Sequence, residues 1–275
     1  MIQIKNIEFS YGANRVLDHI SLDLSEGHIY GLLGENGVGK TTLLTLLCGL
    51  KTPQTGLITI DGHIPFQREP SLLSNIFYLS DDSAALNMTA QSYALTYGKF
   101  WNGFDYDKFA EILNNFEVSP SWKMDKMSCG QLKKVYISFA LSTNAKYLLM
   151  DEPTNGLDIP SKAQFRKSIA KYTSDKDCIV ISTHQARDLE NIIDPIIILD
   201  KQDVLLNAST EEISQKLFFY YGDDSRPNAL YREMLPGSNI QVELNTSEEE
   251  SKVNIEALFN TVHLHKDLIK TLFSK

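Results

Sequence analysis

A glycine-rich loop at residues 34–42 carries the residues best suited to chemistry in this chain. It matches the pattern G-x-x-x-x-G-K-T, with Gly34, Gly39, Lys40 and Thr41 at the defining positions. Glycines allow positive φ and close approach of the backbone, so consecutive N–H groups can point at one anion. In loops of this kind the lysine reaches the β- and γ-phosphates, and the hydroxyl coordinates Mg²⁺. The loop therefore predicts a site for a nucleotide and Mg²⁺.

Two apolar segments beside the loop predict the elements that position it. Residues 28–33 are typical of a buried strand, and residues 43–48 are typical of a helix. A helix that follows the loop directly adds the positive end of its dipole to the phosphate site. The residues predicted to bind the phosphates are Gly34, Asn36, Gly37, Val38, Gly39, Lys40, Thr41 and Thr42.

Two adjacent acids, Asp151 and Glu152, follow the apolar run at 147–150. A carboxylate at the carboxyl end of a strand, in a chain with a phosphate loop, is placed to hold Mg²⁺ directly or through water. Glu152 leaves the strand in another direction, so it is a candidate for polarising a water in line with the γ-phosphate. The pair therefore predicts one site in which Asp151 holds the metal and Glu152 acts on the attacking water.

The order of apolar runs predicts an α/β fold built on a P-loop core. Continuous runs at 147–150, 179–181 and 196–199 are separated by helix-length segments, which is typical of a mainly parallel sheet. Shorter β-type runs within residues 2–60 predict an antiparallel β flank. Helical spacing at about 83–142 predicts an inserted helical subdomain.

The last part of the chain is predicted to form a small accessory region. We assign residues 1–215 to the nucleotide-binding domain and residues 216–275 to this region, with 223–227 as a linker. Alternating apolar residues at 240–244 predict a strand, and the spacing at 255–262 predicts a helix. We see no chemical motif there, so we expect this region to pack on the core or on a partner.

Composition and charge exclude several classes of protein. The net charge of −9 over 275 residues argues against a broad nucleic-acid footprint, which needs clustered Lys and Arg. The longest apolar runs are far too short to span a bilayer, and no signal peptide is visible at the N-terminus. Three cysteines without paired spacing fit a reducing compartment. We therefore expect a cytoplasmic protein whose membrane role, if it has one, depends on a partner.

Three further motifs accompany the phosphate loop and the acidic pair. Residues 127–131 precede a helix predicted to begin near Leu132, residues 155–158 follow the acidic pair, and residues 182–184 end the next apolar strand. In this order and at these spacings, the chain resembles the nucleotide-binding subunits of ATP-binding cassette (ABC) transporters. The resemblance covers roughly residues 1–215.

The resemblance implies a role for each matching residue. Tyr11 matches the aromatic that stacks on adenine, and Asp151 matches the carboxylate on the Mg²⁺ side. Glu152 matches the catalytic base, and His184 matches the switch histidine that contacts the γ-phosphate and fixes the attacking water. Lys40 completes the catalytic set. Asp158 resembles the aspartate whose loop communicates across a dimer.

The family's signature loop implies that two chains act together. Ser128, Gly130 and Gln131 match this loop, which in the family completes the ATP site of the opposite chain. One copy of each motif therefore implies a second cassette when ATP is bound, and a homodimer is the simplest case. The family also implies ATP hydrolysis with Mg²⁺ and an integral membrane permease as partner. The subunit would then lie peripherally on the inner face of the cell membrane, with no nucleic-acid partner.

Two positions depart from the family pattern. Cys129 stands where glycine is typical, and its Cβ is expected to crowd the partner's phosphate, or to cost strain if φ is positive, and so to slow dimer closure. Asp81 stands in the register of a glutamine, although the sequence leaves Asp82 open as the matching residue. A carboxylate there is expected to bind Mg²⁺ more strongly than an amide does, which makes Asp81 a candidate Mg²⁺ ligand.

Two other functions remain open alternatives. A soluble ABC ATPase that acts on ribosomes or DNA is disfavoured by the single cassette, by the missing heptad insertion and by the acidic charge. A catalytically weak regulatory cassette in a heterodimer is suggested by Cys129 and Asp81, but the retained Lys40, Asp151 and Glu152 argue against lost catalysis.

Aromatic residues are dense in the predicted helical subdomain. Most are expected to form its core, and exposed ones would mark the dock for the permease. The set consists of Tyr93, Tyr97, Phe100, Trp101, Phe104, Tyr106 and Phe109.

Overall fold

A computed structural model describes residues 1–224, 226–246 and 249–274. Within these residues the strands are β1 Ile2–Tyr11, β2 Asn14–Leu24, β3 His28–Leu33, β4 Thr55–Ile60, β5 Ile76–Leu79, β6 Tyr147–Asp151, β7 Cys178–Thr183, β8 Ile196–Asp200, β9 Asp203–Ala208, β10 Leu217–Tyr221, β11 Tyr231–Leu235 and β12 Ser238–Leu244. The α-helices are α1 Lys40–Leu47, α2 Pro70–Leu73, α3 Ala90–Tyr97, α4 Tyr106–Asn115, α5 Cys129–Ser142, α6 Ile159–Tyr172, α7 Thr210–Lys216, α8 Ile255–Leu264 and α9 Lys266–Phe273.

A six-stranded sheet in the order β5-β6-β7-β3-β8-β9 carries the phosphate loop. Its first five strands pair in parallel, and β9 pairs antiparallel at the edge. The carboxyl ends of β3, β6 and β7 therefore meet at one edge of the sheet. The predicted α/β fold with a mainly parallel sheet is confirmed.

A separate three-stranded sheet in the order β2-β1-β4 forms the antiparallel flank. At the start of the segment predicted to contain short β-type runs, residues 2–11 form one continuous strand, β1, with irregular register between Ile4 and Ser10. Ile2, Ile4 and Ile7 are fully or nearly fully buried and pack with apolar residues of α1. This packing fixes the flank beside the phosphate loop.

Helices α3, α4 and α5 form the predicted helical insertion, with an aromatic core around Phe139. Tyr93, Trp101, Phe104 and Phe109 place their rings 4.7–6.4 Å from that of Phe139, centroid to centroid. The prediction that most of the aromatic residues form a core is thus correct for these positions.

The helix predicted to begin near Leu132 begins earlier, at Cys129. Ser128 accepts a hydrogen bond from the Gln131 N–H, and the Gln131 side chain accepts one from the Ser128 N–H. This reciprocal capping box supplies partners for N–H groups at the helix start, so the helix extends back to the motif.

The C-terminal strands pair in the order β10-β12-β11, and α8 packs on β11 and β12. The predicted strand at 240–244 lies in β12, and the predicted helix at 255–262 lies in α8, as expected. Ser225 of the predicted linker lies outside the described residues. Two lysines of α9 pair with acids at the turn between β8 and β9, Lys266 with Asp200 and Lys270 with Asp203, which joins this part to the central sheet.

Candidate nucleotide-binding and catalytic site

The phosphate loop connects β3 to α1 and leaves the start of the helix open. Gly37 and Gly39 have φ of +84° and +113°, in the left-handed region that favours glycine. A Cβ on Gly34 would lie 2.5 Å from the Leu199 carbonyl oxygen, so only glycine fits there. Because Gly39 is the N-cap of α1 and offers no side-chain acceptor, the first N–H groups stay available for an anion.

Lys40 holds the two ends of the loop together. Its Nζ donates to the carbonyl oxygens of Gly34, at 2.7 Å, and of Glu35, at 3.1 Å. The side chain is buried, which lowers the pKa of Lys40, and the carboxylate of Glu152, 3.5 Å away, opposes that shift. The ammonium is therefore shielded from solvent, so water weakens its attraction for an anionic phosphate less than it would at the surface.

Two oxygens suited to Mg²⁺ meet below the loop. Thr41 Oγ1 donates to Asp151 Oδ2 at 2.6 Å, and Ser182 Oγ donates to Asp151 Oδ1 at 2.5 Å. Neighbouring ligands of an octahedral Mg²⁺ lie about 2.9 Å apart, given Mg–O distances of about 2.0–2.1 Å. The hydroxyl and the carboxylate are hard oxygen donors at nearly that spacing, so the residues present fit the ion.

Glu152 directly follows β6 with a left-handed backbone, φ +45°. This conformation is unfavourable for a residue with a Cβ, and it turns the side chain away from the strand direction. His184 Nδ1 lies 2.9 Å from Glu152 Oε1, and the His184 N–H donates to Oε2 at 3.4 Å. Oε1 is buried without a well-aligned hydrogen bond, so it is free to accept a proton or a hydrogen bond from a water.

Tyr11 lies at the edge of a cavity of about 340 Å³ that the phosphate loop lines. Its ring is half-exposed, and its hydroxyl is 3.4 Å from Thr42 Oγ1. Lys51 Nζ lies 4.9 Å from the ring centroid. An aromatic ring at the mouth of a phosphate cavity is positioned to stack on a base.

Asp81 lines the same cavity as the phosphate loop, so the register left open by the sequence favours Asp81 over Asp82. Lys133 Nζ lies 3.0 Å from Asp81 Oδ1 and also donates to the Asp81 carbonyl oxygen. The Asn155 amide lies 3.4 Å from both carboxylate oxygens. The buried ammonium of Lys133 thus offsets the negative charge that aspartate brings in place of glutamine.

We expect Asp81→Asn and Asp81→Gln to raise the Mg²⁺ concentration for half-maximal ATP hydrolysis about three- to tenfold, because a carboxylate near the ion is lost. The measurement is a Mg²⁺ titration of the hydrolysis rate at saturating ATP. Asp82→Asn, outside the cavity, is the matched control and should behave as the parent chain. An unchanged Mg²⁺ dependence in both Asp81 variants would exclude Asp81 as a metal sensor.

Ser128, Gly130 and Gln131 do not line this cavity. Ser128 and Gln131 cap α5, and a Cβ on Gly130 would lie 3.1 Å from the Gly156 carbonyl oxygen. Asp158 caps α6 by accepting from the Ser161 N–H at 2.8 Å, and this hydrogen bonding lowers the pKa of Asp158. These residues form a second surface next to the loop at 155–158. The capping box uses the N–H groups of Ser128 and Gln131, and those of Cys129 and Gly130 are not part of it.

Sequence reasoning missed several residues of the site. Ser182 is the neighbour of Asp151 in the register of β6 and β7. The available signal was that both residues are polar and both lie at the ends of apolar runs predicted to be adjacent parallel strands. Asn14 and Val16 of β2 also line the cavity, which no local pattern indicates. Lys133 is buried among the apolar residues of α5, and a lysine in such a position indicates a buried ion-pair partner.

The fold and the site together define a P-loop nucleotide-binding ATPase, since a phosphate loop, an oxygen pair for Mg²⁺ and a free carboxylate converge at one sheet edge.

Comparison with known proteins gives a more specific class. The family model described as "ABC transporter" matches residues 17–155. An uncharacterized ABC transporter ATP-binding protein of Methanocaldococcus jannaschii is 29% identical over 218 residues, 79% of this chain and 81% of that protein. The bacitracin transport ATP-binding protein of Bacillus licheniformis is 29% identical over 220 residues, 78% of this chain and 72% of that protein.

Among solved structures, a dimeric ATP-binding cassette in a post-hydrolysis state with ADP and Pi superimposes with a TM-score of 0.65 at 24% identity, over 76% of this chain and 98% of that one. The chain therefore belongs to the ABC transporter family, as an ATP-binding and ATP-hydrolysing subunit. In the described parts of the chain, we find no helix with the length and apolarity needed to cross a membrane.

Proposed function

We propose that the chain hydrolyses Mg²⁺–ATP between two cassettes and that this cycle drives an integral membrane permease. The observation that carries the proposal is the position of Glu152 Oε1, buried, free of a well-aligned hydrogen bond and within 3.5 Å of Lys40 Nζ. We assign the cassette to residues 1–215 and the accessory region to residues 216–275. Mg²⁺ would be held by Thr41 and Asp151, where it would neutralise charge that develops on the phosphates.

Each residue has a defined task in the reaction. Glu152 accepts a proton from a water whose oxygen attacks the γ-phosphorus, while the bond to the bridging β–γ oxygen breaks and ADP leaves. Lys40 stabilises the negative charge on the transferring phosphoryl oxygens. His184 donates its backbone N–H to Glu152 Oε2, keeps its ring beside Oε1 and, in this account, contacts the γ-phosphate with that ring. Tyr11 stacks on the base.

A second cassette is needed because the anion site at Ser128 lies away from the chain's own cavity. The N-terminus of α5 offers N–H groups and a hydroxyl that can bind the γ-phosphate held by another chain. A cassette of similar fold that is dimeric in a post-hydrolysis state with ADP and Pi supports the pairing of two cassettes. We propose a homodimer, since two-fold symmetry closes two equivalent sites. Asp158, on the loop next to Gly130, would then face the dimer interface.

Cys129 tests the proposed interface directly. It is exposed and is the first residue of α5, and it is not among the described residues with positive φ, so its side chain costs no backbone strain. The predicted crowding by its Cβ is independent of that strain. We expect Cys129→Gly to speed ATP-dependent dimerisation about two- to fivefold, measured by light scattering in stopped flow. Unchanged dimerisation and hydrolysis rates in this variant would refute the crowding.

A groove beside the helical insertion is the proposed dock for the permease. It encloses about 500 Å³ between the end of α1, α2 and the 3₁₀ turn after α3, and it is lined by apolar and aromatic residues. Phe100, at its rim, is 67% exposed, and Leu50 is 57% exposed. An amphipathic helix of a membrane protein fits such a groove. Through it the subunit would bind peripherally at the inner face of the cell membrane.

Affinity purification of the Glu152→Gln chain with ATP tests the transport function. Mass spectrometry of the solubilised membrane fraction should find a multi-span membrane protein in stoichiometric amount, and Phe100→Glu should lose it while keeping ATP binding. Recovery of ribosomes or DNA-bound proteins instead would favour the soluble ATPase alternative. Steady-state hydrolysis by the purified chain would exclude the weak regulatory cassette.

A further inference from the structure

The loop that carries His184 lies against helix α8 of the C-terminal region. The 3₁₀ turn Ala186–Asp188 directly follows His184 and Gln185, and α8 packs on this turn. Arg187 of the turn pairs with Glu256 in the first turn of α8. Phe259, one turn further along α8, packs partly buried against the core. A region without a chemical motif of its own therefore contacts the residues next to the switch histidine.

The opposite side of the same loop is anchored to the nucleotide-binding core. Lys162 of α6 pairs with Asp188 at 2.6 Å, and the Arg166 guanidinium donates to the Asp188 carbonyl oxygen at 2.9 Å. Thr154 Oγ1 lies 3.4 Å from Asp188 Oδ2. The loop thus has a support from the nucleotide-binding core on this side and a support from α8 on the other.

A cavity of about 400 Å³ lies between the loop and α8. It is lined by Leu33 at the end of β3, by the loop itself and by Glu256, Phe259 and Asn260. These three residues of α8 are spaced i, i+3 and i+4, so they share one helix face. The neighbouring face of α8, with Ile255, Leu258 and Val262, is buried in the core. The helix is therefore held firmly while space beside the loop lets His184 move.

We infer that α8 is a brace for the switch loop, in which Glu256 and Phe259 position His184, through Arg187 and the 3₁₀ turn, against Glu152. The inference rests on the proposed role of His184. Glu256 and Phe259 are positioning residues, since neither lines the phosphate cavity. Loss of the brace would let His184 leave its place 2.9 Å from Glu152 Oε1, so it would slow the chemical step without weakening nucleotide binding.

The test uses the full-length chain with Arg187→Glu, Glu256→Arg and the double variant. Each single variant places like charges together and should lower kcat about three- to tenfold, with KM for ATP changed less than about twofold. The double variant restores opposite charges and should return kcat to within about twofold of the parent. Phe259→Ala should lower kcat in the same direction. Lys270→Glu is the matched control, because it breaks another exposed ion pair of the C-terminal region, whose partner Asp203 belongs to β9 and not to the switch loop.

The possible results distinguish the brace from general destabilisation and from the role proposed for His184. If kcat falls in the single variants and recovers in the double variant while Lys270→Glu is neutral, the brace is established. Equal losses in Lys270→Glu, or no recovery in the double variant, would overturn it in favour of general destabilisation. His184→Ala is measured in parallel. If His184→Ala keeps full activity, the role proposed for His184 is wrong. If His184→Ala is inactive and the α8 variants have normal activity, only the brace is wrong.

Discussion

Replacing Glu152 by glutamine is expected to lower kcat for ATP hydrolysis by at least about 10²-fold, because the amide cannot take the proton from the attacking water. The substitution keeps the shape of the side chain, and the backbone hydrogen bond from the Glu152 N–H to Ser182 does not involve it. ATP affinity should therefore stay within about threefold of the parent value. Phosphate release under saturating ATP measures kcat, and binding of a fluorescent ATP analogue measures the affinity.

Glu35→Gln is the matched control for this variant. Glu35 belongs to the same phosphate loop, but its side chain is exposed, and its carbonyl oxygen rather than its carboxylate contacts Lys40. Hydrolysis by Glu35→Gln should equal that of the parent. Substantial turnover by Glu152→Gln, at a level similar to the control, would show that another group takes the proton.

Replacing Lys40 by methionine is the second variant with a large expected effect. The ammonium is the cation that the structure places in the phosphate loop itself, so its loss should weaken ATP binding at least about tenfold and hydrolysis at least about 10²-fold. The stability of the folded protein, in contrast to its activity, should change little. Burial lowers the pKa of Lys40, which means that the folded protein holds this charge at a cost, and methionine removes that cost.

We therefore expect the Tm of Lys40→Met to lie within about 3 °C of the parent value, even though two hydrogen bonds to loop carbonyls are lost. Lys171→Met controls for the loss of a lysine, since Lys171 pairs with Glu111 on the exposed surface. Differential scanning calorimetry and ATP binding on the same samples separate the two effects. A large drop in Tm together with unchanged ATP affinity would mean that Lys40 is structural.

The parts of the fold with local signals were predictable. The strands β3, β6, β7 and β8 are buried on both faces, so each reads as a continuous apolar run. The edge strand β9 mixes buried apolar residues with Asp203 and Asn207, and no side chain of the hairpin strand β11 is fully buried, so their patterns are too weak to identify them. These strands could be predicted because they are buried on both faces, and strand propensity contributed less.

The site was predictable where chemistry depends on residues close in sequence. The phosphate loop and the Asp151–Glu152 pair are local, and their spacing carries the information. The contact between Lys133 and Asp81 joins residues 52 positions apart and depends on how the helical insertion packs. The left-handed backbone of Glu152 likewise has no sequence signal, because glutamate rarely adopts it. The contact between α8 and the switch loop needed the three-dimensional arrangement in the same way.

The most direct test of the central claim, that ATP is held between two copies of the chain, is the mass of Glu152→Gln in solution by sedimentation equilibrium. Without nucleotide the mass should be that of one chain, 31.0 kDa. With ATP and Mg²⁺ it should double, and Ser128→Arg should prevent the doubling by blocking the anion site at the start of α5. A mass that stays at one chain while ATP is demonstrably bound would contradict the account.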